Sequence, residues 1–200
     1  MRRYLLFAPS LLFGVIGAIW LGFRPLELEA EAGPFTILAV AFLLIAGLLG
    51  GAYLLEKTLP SFRYASRMLE RAVARFRPSL PLSVGLAAAT AVSEELFFRG
   101  VLLSLIGVWG QALAFGLLHP ATRRGWGYTA FTFVAGLAFG YATVATGSLW
   151  AAILAHFIIN LQGFLEVQRR RQRPRVVPLS SHRERSPGGT DAPETQSKKA

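Results

Sequence analysis

Six apolar stretches alternate with short polar or basic connections along the chain. They run approximately Tyr4–Phe23, Pro34–Leu55, Leu80–Leu103, Leu105–His119, Tyr128–Thr146 and Ser148–Val167, each near the ~20 residues that cross a hydrocarbon core. The third is long and the fourth short, so these two are expected to be tilted or shifted against one another. Between Leu59 and Arg77 the pattern changes. Phe62, Met68, Leu69, Val73 and Phe76 are interleaved with arginines, which predicts a basic amphipathic helix on the membrane surface or a solvated connecting helix. The predicted fold class is all-α: a polytopic transmembrane helical bundle of about six spans. Residues 1–78 hold two spans and the amphipathic segment, 79–167 the membrane core, and 168–200 a basic tail rich in Pro, Gly and Ser that reads as disordered.

The charges orient these spans. Arg2 and Arg3 precede the first span, while Arg24 shares the next loop with Glu27, Glu29 and Glu31. Lys57, Arg63, Arg67, Arg71, Arg75 and Arg77 fill the following connection. Arg123 and Arg124 lie between the fourth and fifth spans, and five arginines from Arg169 to Arg175 follow the sixth. The positive-inside rule then places both termini and every basic loop in the cytoplasm. The net charge of +10 is therefore explained by orientation and anionic lipid, not by nucleic acid. Ala30-Glu31-Ala32 resembles a signal-cleavage site. The first apolar run is too long for a signal core, so it is expected to stay as a span. The compact build suggests an integral protein of a bacterial inner membrane.

Few strongly polar groups lie inside the spans, and they carry the chemistry. Glu94, Glu95 and Arg99 fall within six residues in the apolar stretch from Ala87 to Leu105, where each charge costs roughly 2.5–3.5 kcal/mol on insertion scales. On a helix Glu95 and Arg99 share a face and can pair, leaving Glu94 about 100° away and free to act. His119 ends the fourth span, one turn beyond Phe115, and His156 and Asn160 share a face of the sixth. Gln111 is a weaker member of the set, and Gly136 and Gly140 form a small-xxx-small pattern for close packing. Three helices thus present polar faces at membrane depth, and the cheapest arrangement is for those faces to meet.

With no cysteine, and Asp191 the sole aspartate and outside the membrane, thiol and intramembrane aspartyl proteases are excluded. No GxSG-type serine motif is present. What remains is a carboxylate and a histidine that could deprotonate a water, with a second histidine and an amide to stabilise an oxyanion. The competing account is a divalent metal such as zinc held by Glu94, His119 and His156. The absence of HExxH favours metal-free water, but the residues alone leave both accounts open. Drawn as straight spans, Glu94 falls near mid-membrane and His119 near the cytoplasmic end, which puts a shared water out of reach of one of them.

The motifs Glu94-Glu95-x-x-x-Arg99, Phe115-x-x-x-His119 and His156-x-x-x-Asn160, in that order and with Gly147-Ser148-Leu149-Trp150 before the last, resemble the CPBP family of intramembrane proteases. That family includes the type II CAAX prenyl endopeptidases and the bacterial Abi proteins. The resemblance covers roughly Leu80 to Asn160. It implies an α-helical membrane fold, with Glu94 and His119 as the water-activating pair and His156 and Asn160 as the oxyanion site. Glu95, Arg99 and Phe115 would support them. It also implies a membrane-anchored protein or peptide substrate, cut near its C-terminus. Eukaryotic members cut prenylated CAAX tails, and some bacterial members, the myxosortases, are linked to C-terminal sorting signals. The alternative is a non-catalytic membrane protein, a partner or chaperone in transport or immunity; proton-coupled transport is a third class. The first two spans lie outside the resemblance and are expected to hold substrate specificity.

Overall fold

The computed structural model describes residues 7–26, 28, 31–119 and 122–172, with the side chains of 171 and 172 excepted. Helices α1 (Ala8–Phe23), α2 (Pro34–Thr58), α3 (Pro60–Phe76), α4 (Leu80–Glu95), α5 (Leu103–Leu118), α6 (Trp126–Thr146) and α7 (Trp150–Gln172) follow one another, and no strand is present among the described residues. A π-helical segment, Leu96–Leu102, joins α4 to α5, and a short 3₁₀ turn, Arg123–Gly125, precedes α6. Pro34, Pro60 and Pro81 stand in the first turns of α2, α3 and α4, where a missing N–H costs nothing. The chain is a helical membrane bundle. Pro34–Thr58, Leu80–Leu118, Arg123–Thr146 and Trp150–Arg170 are long and apolar enough to cross a membrane, and Ala8–Phe23 is a shorter apolar helix. Their outer faces keep large apolar side chains exposed, among them Leu38, Phe42 and Leu43 on α2 and Leu113 and Leu117 on α5.

The decisive feature is a reversal at Gly107. Leu80–Leu118 is 39 residues long, about twice what one crossing needs. At Gly107 the backbone adopts φ 69° and ψ −179°, a conformation essentially reserved for glycine, and the helix turns back on itself. The rings of Phe98 and Phe115 accordingly lie 4.9 Å apart, centroid to centroid, on the two arms. The six apolar segments become six helical arms, as the hydrophobic pattern predicts. The break falls at Gly107, a little past the boundary drawn between Leu103 and Leu105.

Around this hairpin the packing is close. α5 lies on α6, where a Cβ on Gly136 would stand 2.9 Å from the Cα of Ala112. α4 runs beside α7, and α1 packs on α4 and the π segment. α3 is the amphipathic helix that its pattern predicts. Phe62 is buried against Tyr128 and Phe131 of α6, at 5.7 and 5.3 Å, while Arg67, Arg71 and Arg75 face outward. Arg63 instead closes the end of α2, donating from Nε to the Glu56 carbonyl at 2.7 Å and from Nη2 to that of Lys57 at 2.8 Å. Arg170 of α7 gathers Glu166 (2.7 Å), Glu70 of α3 (3.2 Å) and Glu56 of α2 (3.8 Å). Burial pushes the Glu70 carboxyl above its ordinary range, with Arg170 acting against it. α7 continues through Gln172, past the residue 168 at which the tail was expected to begin. The remainder of that tail, His182, Arg2, Arg3 and Ala30 lie outside the described residues.

The hairpin makes a prediction with two signs. Gly107→Ala forces a side chain into a glycine conformation and should lower stability by about 1–3 kcal/mol. Gly85→Ala, in open space on α4, should raise it by up to ~1 kcal/mol. Denaturant unfolding of the two purified variants in one detergent measures the difference, and equal effects would refute the assignment of the turn.

Candidate active site

Glu94 and His119 are 25 residues apart, and an uninterrupted helix would separate them by about 37 Å. The reversal at Gly107, roughly midway, returns His119 to within 3.7 Å of Glu94, Nε2 to Oε2. His156 of α7 reaches the same oxygen, its Nε2 3.8 Å away. The apparent mismatch in depth between Glu94 and His119 therefore came from drawing straight spans; the two arms bring them level. Oε2 of Glu94 is buried and makes no hydrogen bond to the protein. Its other oxygen, Oε1, accepts a 2.7 Å hydrogen bond from Ser10 of α1.

The far side of each imidazole is fixed. Nδ1 of His119 lies 2.7 Å from the carbonyl of Phe115, one turn back on α5. A carbonyl only accepts, so this contact puts the proton on Nδ1. Nδ1 of His156 lies 2.7 Å from Oε1 of Glu95, which has the same effect. Held in this way, each ring turns its Nε2 towards Glu94, and that nitrogen is bare when the imidazole is neutral. Three acceptors then face one another with no donor among them. A water with two protons to give complements that arrangement, as does one proton shared with an imidazole.

Glu95 is occupied twice over. It is fully buried, and its Oε1 also accepts a 2.8 Å bond from Nη1 of the equally buried Arg99. The pairing of Glu95 with Arg99 follows the i, i+4 spacing; the hold on His156 was not foreseen. Arg99 lies 4.5 Å from the centre of the Phe115 ring, 4.9 Å from Phe139 and 5.8 Å from Phe98, and its Nη2 approaches the Gly136 carbonyl at 3.5 Å. Gln111 donates to that same carbonyl at 2.8 Å. Phe115 packs its ring 4.3 Å from that of His119, while Phe139 stacks on His156 at 5.4 Å and 15°.

Asn160 stands one turn beyond His156 on α7. Its Nδ2 donates to Thr90 Oγ1 at 3.1 Å, and Thr90 in turn donates to the Leu86 carbonyl at 2.8 Å. Thr90 lies one turn before Glu94, so Asn160 and Thr90 form the layer next to the Glu94–His156 layer. The amide keeps a second N–H beyond the one given to Thr90. Glu94, Glu95, Arg99, Phe115, His119 and His156 thus converge, with Asn160 adjacent. Ser10, Thr90 and Phe139 were not singled out from the sequence. Thr90 carried a signal, since it shares the Glu94 face one turn earlier. Phe139 had none among the many aromatic residues.

As a metal shell the set is wide. Tetrahedral zinc with bonds of ~2.1 Å places its ligand atoms about 3.4 Å apart, short of the 3.7 and 3.8 Å seen here. Among the described residues no group of three His, Asp or Glu side chains is placed to hold a metal ion.

Residues 76–162 match the model of the Rce1-like family, the type II CAAX prenyl endopeptidases. Over that segment the membrane core of this chain is similar to that family. Every polar group of the cluster except Ser10 lies inside the matched segment. The chain is also similar to the uncharacterized protein YpbD of Bacillus subtilis (strain 168), with 34% identity over 108 residues. That stretch covers 52% of this chain and 54% of the relative, so the chain spans about half the length of the curated protein it matches. No solved structure is significantly similar to it.

The buried pair is testable without a substrate. Arg99→Met leaves Glu95 charged and deprived of its cation, and should cost about 3–5 kcal/mol of stability. Adding Glu95→Gln to Arg99→Met should recover part of that loss. A double variant no more stable than Arg99→Met alone would show that the pair does not act as a unit.

Proposed function

We propose that this protein is an intramembrane endopeptidase that hydrolyses a membrane-associated protein near its C-terminus, with water activated by Glu94 and His119. The observation that carries the reading is the convergence of the free Glu94 oxygen on two oriented imidazoles, within a segment that matches the Rce1-like family. Glu94 and His119 take a proton from the water as its oxygen attacks the scissile carbonyl carbon. In the form of the cluster that carries one shared proton, that proton lies on Nε2 of His156, and this N–H together with the remaining N–H of Asn160 meets the charge that builds on the carbonyl oxygen. Glu95 beneath His156 stabilises the imidazolium, as a carboxylate does for the histidine of a serine-protease triad. Collapse of the tetrahedral intermediate breaks the C–N bond, and the departing amine takes the proton back from the base.

In this reading the reaction needs no metal. It also places both termini and α3 on the cytoplasmic side of a bacterial inner membrane, following the loop charges. Arg67 and Arg71, four residues apart and exposed on α3, repel each other along the helix and favour an anionic leaflet as neighbour. With both replaced by Glu, association of the protein with anionic lipid in mixed vesicles should fall, and its behaviour in neutral vesicles should not change.

Glu94→Gln keeps the shape and removes the base, so cleavage should fall about 10²–10⁴-fold. Comparison of membrane-protein C-termini in cells carrying wild-type or Glu94→Gln protein measures this and identifies the substrate. A reporter bearing the C-terminal segment found in this way, reconstituted in liposomes, then gives rates. Processing at the wild-type rate by Glu94→Gln would refute the mechanism and favour a non-catalytic partner role. Loss of reporter cleavage on chelation, restored by zinc, would refute the metal-free step.

A further inference from the structure

Ser10 lies 84 positions before Glu94, in a helix outside the segment that matches the family, yet its hydroxyl makes a 2.7 Å hydrogen bond to Oε1 of Glu94. Hydroxyls in apolar helices ordinarily turn back to a carbonyl of their own helix. Thr90, Ser104, Thr132 and Thr146 all do so here, at 2.7–3.1 Å. Ser10 spends its proton on another helix.

Its position is built in by the packing of α1. Gly14 and Gly17 lie on the Ser10 face, four and seven residues on. A Cβ at Gly14 would overlap the Oγ of Ser93, and one at Gly17 would stand 2.8 Å from the carbonyl carbon of Leu96. The α1 backbone therefore lies against the residues on either side of the Glu94–Glu95 pair. Phe13, on the neighbouring part of the same face, stacks on Phe97 at 4.6 Å and 10°. The register of α1 along α4 is set by these contacts, and that register delivers the Ser10 hydroxyl to the carboxylate.

The effect on Glu94 is directional. A carboxylate on a flexible side chain can rotate to exchange its oxygens. Here one oxygen is bound to Ser10, and the other, buried and without a hydrogen bond to the protein, is left facing both imidazoles. We propose that Ser10 is a positioning residue for Glu94, so that the active centre takes one side chain from the first helix. The proposal rests on the hydrolytic reading of Glu94 given above. It assigns to α1 a part in aligning the base, beside the substrate specificity that the sequence suggested.

The test uses the full chain in liposomes with the C-terminal reporter and the variants Ser10→Ala, Ser10→Thr and Ser104→Ala. Loss of a hydrogen bond to a charged group predicts a fall in kcat of about ten-fold or more for Ser10→Ala, with KM within two-fold of wild type. Ser10→Thr, which keeps the hydroxyl, should restore most of kcat, and Ser104→Ala should leave kcat unchanged. Wild-type kcat in Ser10→Ala, a change confined to KM, or no rescue by Thr would each overturn the proposal. A second readout needs no substrate. The infrared carboxylate band that disappears in Glu94→Gln should shift in Ser10→Ala and return in Ser10→Thr; an unmoved band would overturn the bond itself. Wild-type cleavage by Glu94→Gln would instead refute the hydrolytic reading, with the infrared result still deciding whether Ser10 holds Glu94.

Discussion

A guanidinium fully enclosed by apolar helices governs the arrangement of this protein. Arg99 cannot be left unpaired at such burial, and Glu95, one turn before it, supplies the charge. Once Glu95 is fixed by that demand, its oxygen is also where His156 must place a proton. Three aromatic rings and the Gly136 carbonyl complete the shell round the cation, and two of those rings, Phe115 and Phe139, are the ones that lie against the histidines. The requirement to neutralise one buried cation and the requirement to orient two imidazoles are met by the same residues.

Much of this was legible in the chain. The i, i+4 spacing of Glu95 and Arg99 gave the ion pair, and the six apolar runs gave six helical arms. The cost of charge in lipid marked which few side chains had to find one another. The hairpin was harder to see. Gly107 is one of several glycines in apolar segments, and only its left-handed backbone distinguishes it. Without the turn, a periodic pattern places Glu94 and His119 at different depths. With it, they meet.

Ser10 was illegible for a different reason. A lone serine in an apolar helix normally satisfies itself, so its presence carries no signal of a long-range partner. Only the register between α1 and α4 reveals what it does, and register between helices depends on small residues whose spacing is common in any membrane bundle. Glu95 shows the same limit: its spacing disclosed one partner, and the second came from another helix. Periodicity reports contacts along an element far better than contacts between elements.

Glu94 and His119 hang from two arms joined at an exposed glycine, some 12–13 residues, or about 19 Å, from the pivot. On arms of that length, splaying by about three degrees moves the two side chains apart by roughly 1 Å, a displacement that can cost an enzyme a hundred-fold in rate. On the proposed mechanism the alignment of Glu94 with His119 is thus governed by leverage, and the tolerances that matter lie far from the two side chains. The Phe98–Phe115 contact joins the two arms and the seam between Ala112 and Gly136 holds the second arm on α6, so a methyl group added at Gly136 would shift His119 relative to Glu94 without touching either.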